Sequence, residues 1–185
     1  MTYFDYTTNH DFYMAIKELL LEKGKKVTLN RGDVLSHSGE MAQQLGILTS
    51  GALKYSYLST NGTERIVSFS FTGDLVANYS SMRNNFPSML DIVAIESSVV
   101  YRLPLERIDR MIGIEMRARI GEVVAYNALK CAIDNMCKSA EERYMEIIHR
   151  FPDIHNRMTN RMIAKYLGIT PESLSRMRKR LLTKP

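Results

Sequence analysis

The side chains whose types and spacing could do chemistry gather near one end of the chain. In NRMIAKYLGITPESLSRMRKRL, from Asn160 to Leu181, six Lys/Arg and one Glu surround a regular series of apolar positions. Glu172 and Arg176 stand four apart, which on a helix is one face. A glutamate can accept from a cytosine amino group, and an arginine can donate twice to guanine O6 and N7, so the pair could read neighbouring base pairs. Thr170 and Ser173, with the N–H groups that open such a helix, could hold a phosphate. Arg178, Lys179 and Arg180 suit phosphate contacts without sequence preference, or are solvated charge. The plain alternative for Glu172 and Arg176 is a surface ion pair worth about 0.3–0.5 kcal/mol.

Other chemistry finds less material. The histidines are His10, His37, His149 and His155, with no HxH pair. A cupin-type metal centre needs several histidines and a carboxylate converging, so no metal site and no catalytic residue is expected. Cys131 and Cys137 lie six apart, off a common helical face, and no CxxC pair exists. Reduced thiols in a cytoplasmic protein are the expectation.

Charge follows the same geography. The net charge is +5, yet residues 1–140 hold 15 Lys/Arg against 15 Asp/Glu. From Asn156 onward the tally is 8 against 1, the single acid being Glu172. A basic end on a neutral body is the footprint of polyanion binding, with a solvated basic tail as the alternative. No apolar run approaches the ~20 residues that span a bilayer, and MTYFDYTTNH lacks the form of a secretory signal, so no membrane partner is expected.

The elements that must position these residues can be read in order. Phe12, Ile16, Leu19 and Leu20 have helical spacing, and Gly24 ends that helix. From Lys26 to about Pro104, short β-rich runs alternate with turn residues: Arg31-Gly32-Asp33, Gly51, Asn61-Gly62 and Gly73-Asp74. Asn-Gly is a strong hairpin signal. After it, Val67, Phe69 and Phe71 alternate with Ser68 and Ser70, which predicts one face in and one face out. Six to eight antiparallel strands of this kind suggest a jelly roll or small barrel.

Helical periodicity returns at Leu105. A short helix stops near Gly113, and the next 38 residues contain no proline. Ser139 followed by Glu142 is a capping-box pattern, so a second helix is expected to start there. Before it, Met116, Ile120 and Val123 form one apolar stripe; Ala125, Leu129, Ala132 and Met136 form another. The first can pack on the β-domain, and the second needs a partner, most simply a second copy of the same helix. At the basic end, Ile163, Ala164 and Leu167 make one helix face, Gly168 turns the chain, and Thr170-Pro171 opens a second helix buried through Leu174, Met177 and Leu181. Helix, three-residue turn with Gly, and helix make a helix-turn-helix.

This order of parts resembles the Crp–Fnr family of bacterial transcription regulators over roughly residues 10–182. The resemblance rests on RGD at 31–33, GILTSGALK at 46–54, NGTERIVSFSFTGDLV at 61–76 and IAKYLGITPESLSRMRKRL at 163–181. It implies an α+β chain: a β-roll over 1–112, a dimerisation helix over 113–138 and a helix-turn-helix unit over 139–185. It also implies a homodimer on a near-palindromic DNA duplex, with RNA polymerase as a further partner. Glu172 and Arg176 match base-contacting positions; Thr170 and Ser173 match phosphate contacts. Pro171 stands where the best-known members have an arginine, so one base contact is missing.

Two departures bear on the effector and on DNA. Members that bind cyclic AMP carry a Gly-Glu pair and, about ten residues later, an Arg-Ser or Arg-Ala pair. Here Ala77-Asn78 and Ser88-Met89 occupy those places, with Arg83 nearby in the loop. A buried phosphate without a cation is costly, so cyclic AMP is not expected, and an unidentified effector would meet Val76, Ala77, Asn78, Ser88 and Met89. An iron–sulfur cluster needs about four thiolates, and haem would have only His37 in the roll; no resident cofactor is expected. The family's β-hairpin wing would follow the second helix, where only TKP stands after Leu182.

Overall fold

The computed structural model describes residues 10–78, 81 and 86–182, apart from the Val124 side chain. A first helix, α1 (His10–Lys23), leads into eight strands: β1 (Lys25–Leu29), β2 (Val34–Ser36), β3 (Gln44–Ser50), β4 (Ala52–Leu58), β5 (Glu64–Phe71), β6 (Leu75–Ala77), β7 (Asp91–Ala94) and β8 (Ser98–Pro104). They form two four-stranded antiparallel sheets, β1-β8-β3-β6 and β2-β7-β4-β5, facing each other as a roll. Leu48, Leu53, Val76, Ile92 and Val100 fill the space between them. Helix α1 lays Tyr13, Ile16 and Leu20 against Leu45, Ile47 and Leu103. The Tyr13 hydroxyl donates to the Gly73 carbonyl at 2.7 Å.

Gly51, between β3 and β4, shows why the turn residues are where they are. Its φ is +93°, and a Cβ there would lie 2.2 Å from the Ser98 hydroxyl. Only glycine satisfies both constraints.

Six helices follow: α2 (Leu105–Met111), α3 (Ile114–Cys137), α4 (Ala140–Arg150), α5 (Ile154–Arg157), α6 (Asn160–Leu167) and α7 (Pro171–Leu182). The 38-residue stretch is two helices, broken at Lys138. Ser139 caps α4 in a capping box with Glu142, both hydrogen bonds being present. Lys138 pins the elbow between Asp134 and Glu146, and the hydrogen bonds its ammonium donates to those two carboxylates raise its pKa to about 12. On α3, Ile120 is buried and Met116 and Val123 pack beside it against α1 and the roll.

The alternation on β5 turns out differently from the one-wet-face expectation. Phe69, Ser70 and Phe71 are all buried. The phenylalanines look outward, into a core shared with α4 to α7: Phe69 meets Tyr166 at 5.4 Å between ring centroids, and Phe71 meets Phe151 at 3.9 Å. Ser70 is turned to the roll's own core, where its hydroxyl lies 3.1 Å from that of Tyr55. The apolar face thus serves the C-terminal helices, and Val67 is displaced by a bulge opposite Tyr55/Ser56.

Candidate nucleic-acid interface

The C-terminal unit is built from its caps inward. The Thr159 side chain accepts from the Met162 N–H and opens α6; Gly168, at φ 72° and ψ 25°, closes it. The Arg143 guanidinium donates to the Leu167 carbonyl at 2.7 Å and to that of Tyr166 at 3.4 Å, satisfying acceptors that a helix end leaves open. The Thr170 hydroxyl accepts from the Ser173 N–H at 3.2 Å and so caps α7. Ile163, Ala164 and Leu167 of α6 pack on Leu174 and Met177 of α7, all buried. A fully buried alanine at the crossing lets the two backbones come close.

At about 100° per residue, Glu172, Ser173, Arg176, Lys179 and Arg180 fall within one broad arc of α7, away from Leu174 and Met177. Thr170, Glu172, Arg176, Lys179 and Arg180 are exposed. The Arg176 guanidinium donates to the Ser173 hydroxyl at 3.3 Å, which aims it along the helix start. The Glu172 carboxyl is held below the usual carboxylate range by its own N–H, then the Thr170 hydroxyl, then the nearby Arg176 charge. Arg180 pairs with Glu141 of α4.

Arg178 does not share this arc. It lies roughly two thirds of a turn from Glu172, is half-buried, and donates to the Asn160 side-chain oxygen at 3.0 Å. It also stands near Tyr144 and His155, whose hydroxyl and Nε2 are 2.8 Å apart. The His155 pKa is lowered, first by burial and then by the Arg178 charge. Spacing alone left Arg178 beside its basic neighbours; the helical period would have separated it from them.

The roll encloses a cavity of about 140 Å³. Val76, Ala77 and Asn78 line it; Ser88 and Met89 do not. The Ser88 hydroxyl donates to the Leu90 carbonyl at 2.7 Å, and Met89 is 61% exposed. Asn78 spends its amide on the Leu90 carbonyl at 2.9 Å and the Ser36 hydroxyl at 3.3 Å. Arg83 lies outside the described residues. Arg102, which the sequence reading did not single out, also lines the cavity, its guanidinium 3.3 Å from the Leu35 carbonyl. The signal was present in β8, where Ser98, Val100 and Arg102 share the inward register of a strand. Glu40, Gln43 and Gln44 also line it and were not singled out.

Comparison with known proteins agrees with this architecture. Residues 26–114 match the model of the cyclic nucleotide-binding domain. The fumarate and nitrate reduction regulatory protein of Salmonella typhi is 28% identical, over 83% of this chain and 67% of its own. The same-named protein of Escherichia coli strain K12 matches equally. Over most of its length the chain is thus similar to transcription regulators of the Crp–Fnr type. FixK2 from Bradyrhizobium japonicum has the same fold, with a TM-score of 0.73 at 21% identity, covering 86% of this chain and 85% of that one. A Crp/Fnr regulator from Eubacterium rectale superposes at 0.66 and 22% identity, covering 98% and 88%. The relatives are named as regulatory proteins, and the chain has no group of three or more His, Cys, Asp or Glu able to hold a metal among its described residues. No helix among them is long and apolar enough to cross a membrane.

Proposed function

We propose that the chain is a DNA-binding transcription regulator, a homodimer that sets two copies of α7 into successive major grooves of a near-palindromic duplex, in the cytoplasm. Glu172 and Arg176 read bases, Thr170 and Ser173 hold a phosphate at the helix start, and Lys179 and Arg180 add backbone attraction. The carrying observation is the geometry at the start of α7, where an exposed Glu172 and an Arg176 steered by Ser173 share one face of a capped, buried-backed helix. Arg178 has a different task, bracing α7 against Asn160. Two such helices one DNA turn apart, about 34 Å, fit half-sites centred about 10 base pairs apart or a multiple of that.

The dimer seam is the outer stripe of α3. Tyr126, Leu129, Ile133 and Met136 are exposed there at helical spacing, Leu129 at 61% and Met136 at 85%. A second α3 packed in parallel along this stripe buries them, as helix pairs with apolar seams do. RNA polymerase would be engaged from the assembled complex.

The effector, where one acts, is not cyclic AMP. A cavity of about 140 Å³ is well below the roughly 300–1,000 Å³ of ligand pockets. Ala77-Asn78 offers no carboxylate for a ribose. Arg102 fits a small anionic molecule, which would bias the two α7 helices through α3.

Selection of duplexes from a random pool by the purified protein, followed by sequencing, tests this reading. An inverted repeat with helical-turn spacing is expected. Enrichment of unpaired half-sites, or of no sequence, would overturn it.

A further inference from the structure

The β4–β5 hairpin belongs to the roll, yet it ends beside the start of α7. Its tip is the tight turn at Gly62, φ 76°, with the Ser59 N–H donating to the Thr63 carbonyl at 3.0 Å. Between this hairpin and the helix-turn-helix lies an open cleft of about 460 Å³. Thr63 and Arg65 line it from the roll; Arg161, Lys165, Gly168 and Thr170 line it from α6 and the turn. Arg65 reaches so far across that a Cβ added to Gly168 would lie 3.0 Å from its guanidinium nitrogen.

The charge in this cleft is unbalanced. Among the described residues Glu64 is the one acid lining it, and it is engaged by both Lys54 and Lys165. Burial pushes the Glu64 carboxyl up, but the hydrogen bonds and charges of the two lysines outweigh it and hold it ionised below the usual range. Arg65 and Arg161 are both exposed, and neither has an ion-pair partner among the described residues. The cleft on the other flank of α7 is different: there Glu141 and Glu142 stand opposite Arg176 and Arg180. Of these two clefts, the one on the hairpin side carries the excess positive charge next to the cap of α7.

We propose that the β4–β5 hairpin is part of the DNA-binding surface, with Arg65 and Arg161 clamping one backbone phosphate of the duplex on which α7 sits. The Lys54–Glu64–Lys165 ion cluster is the tie that holds the hairpin at the helix-turn-helix, so that Arg65 is in place. The occupant is a duplex phosphate because the cleft opens beside Thr170, at the start of the groove-entering helix. A phosphate there would take the two guanidinium groups left without carboxylates. The inference rests on the DNA-binding reading above.

The test is the salt dependence of binding, measured by fluorescence anisotropy on a random-sequence duplex of about 40 base pairs and on a pool-selected duplex. Releasing one phosphate contact makes the slope of log affinity against log salt shallower by about 0.9, hence about 1.8 for a dimer. Arg65→Gln should show that change on both duplexes, with melting temperature preserved, and Arg65→Lys should restore most of it. An unchanged slope in Arg65→Gln, while Arg176→Ala still alters duplex preference, overturns the hairpin proposal and leaves the DNA-binding reading standing. An equal loss in Arg65→Lys and Arg65→Gln also overturns it, because contact with Gly168 would then be structural. Absence of wild-type binding to any duplex at low salt overturns both.

Discussion

At the level of single residues, the side chains of α7 divide by what they touch. Arg176 points along the exposed arc from Ser173, whereas Arg178 is tied to Asn160 behind it. Replacing Arg176 by Ala should relax base preference at one position of each half-site and cost about 1–3 kcal/mol on the selected duplex. Competition binding against single-base variants checks this. Arg178→Ala should leave that preference intact and lower the melting temperature instead. His155 adds a pH signature. Its pKa is depressed by burial and by Arg178, so the unfolded state binds a proton more readily than the folded one. The stability it contributes is complete above its unfolded pKa, about 6.5, and is lost as pH falls toward and through the lower folded value. Thermal melts between about pH 7.5 and pH 5 should fall in the wild type and flatten in His155→Gln; parallel curves would assign the titration elsewhere. The types at 170–180 were legible because each has a one-step chemical meaning. The separate place of Arg178 follows from helical phase, which a list of basic residues ignores. Arg102 was missed because the search for a cation was confined to the places of the family's Arg pair at 88–89, whereas the cavity is also walled by β8.

Elements were legible where a local interaction fixes them. The Ser139 capping box, the Gly168 turn and the Asn61-Gly62 hairpin are decided within four residues, and each stands where its pattern sits. The partner of β5 was not legible, because alternation gives the period of a face and not what covers it. Phe69 and Phe71 have the same spacing whether they look into the roll or out to Tyr166 and Phe151. Ala at Gly168 must adopt φ near 72°, which costs about 1–2 kcal/mol for a residue with a Cβ, and it also crowds Arg65. Gly168→Ala should therefore reduce stability by at least that amount in chemical denaturation while Gly113→Ala, where a Cβ would meet nothing within 4 Å, should be near neutral. Equal effects of the two would remove the argument that the turn is conformationally fixed.

For the whole molecule, the shared core of Ile66, Phe69 and Phe71 with Tyr144, Ile163 and Tyr166 ties each α7 to its own roll. In the proposed homodimer the two copies of α7 are therefore related through whatever relates the two rolls. The exposed stripe of α3 is the surface suited to that, since its inner stripe is already used against α1 and the roll. A charge placed on the stripe tests the connection. Leu129→Glu would bring two carboxylates together at the seam, where neither is solvated enough to stay ionised without cost. Sedimentation should then report a monomer, and the affinity for a duplex carrying both half-sites should fall by at least about 100-fold, since the second half-site is no longer held at high effective concentration. Binding to one isolated half-site should barely change, because no residue near α7 has been touched. A Leu129→Glu protein that remains dimeric and keeps its two-site advantage would place the seam on another surface, and with it the spacing expected of the operator.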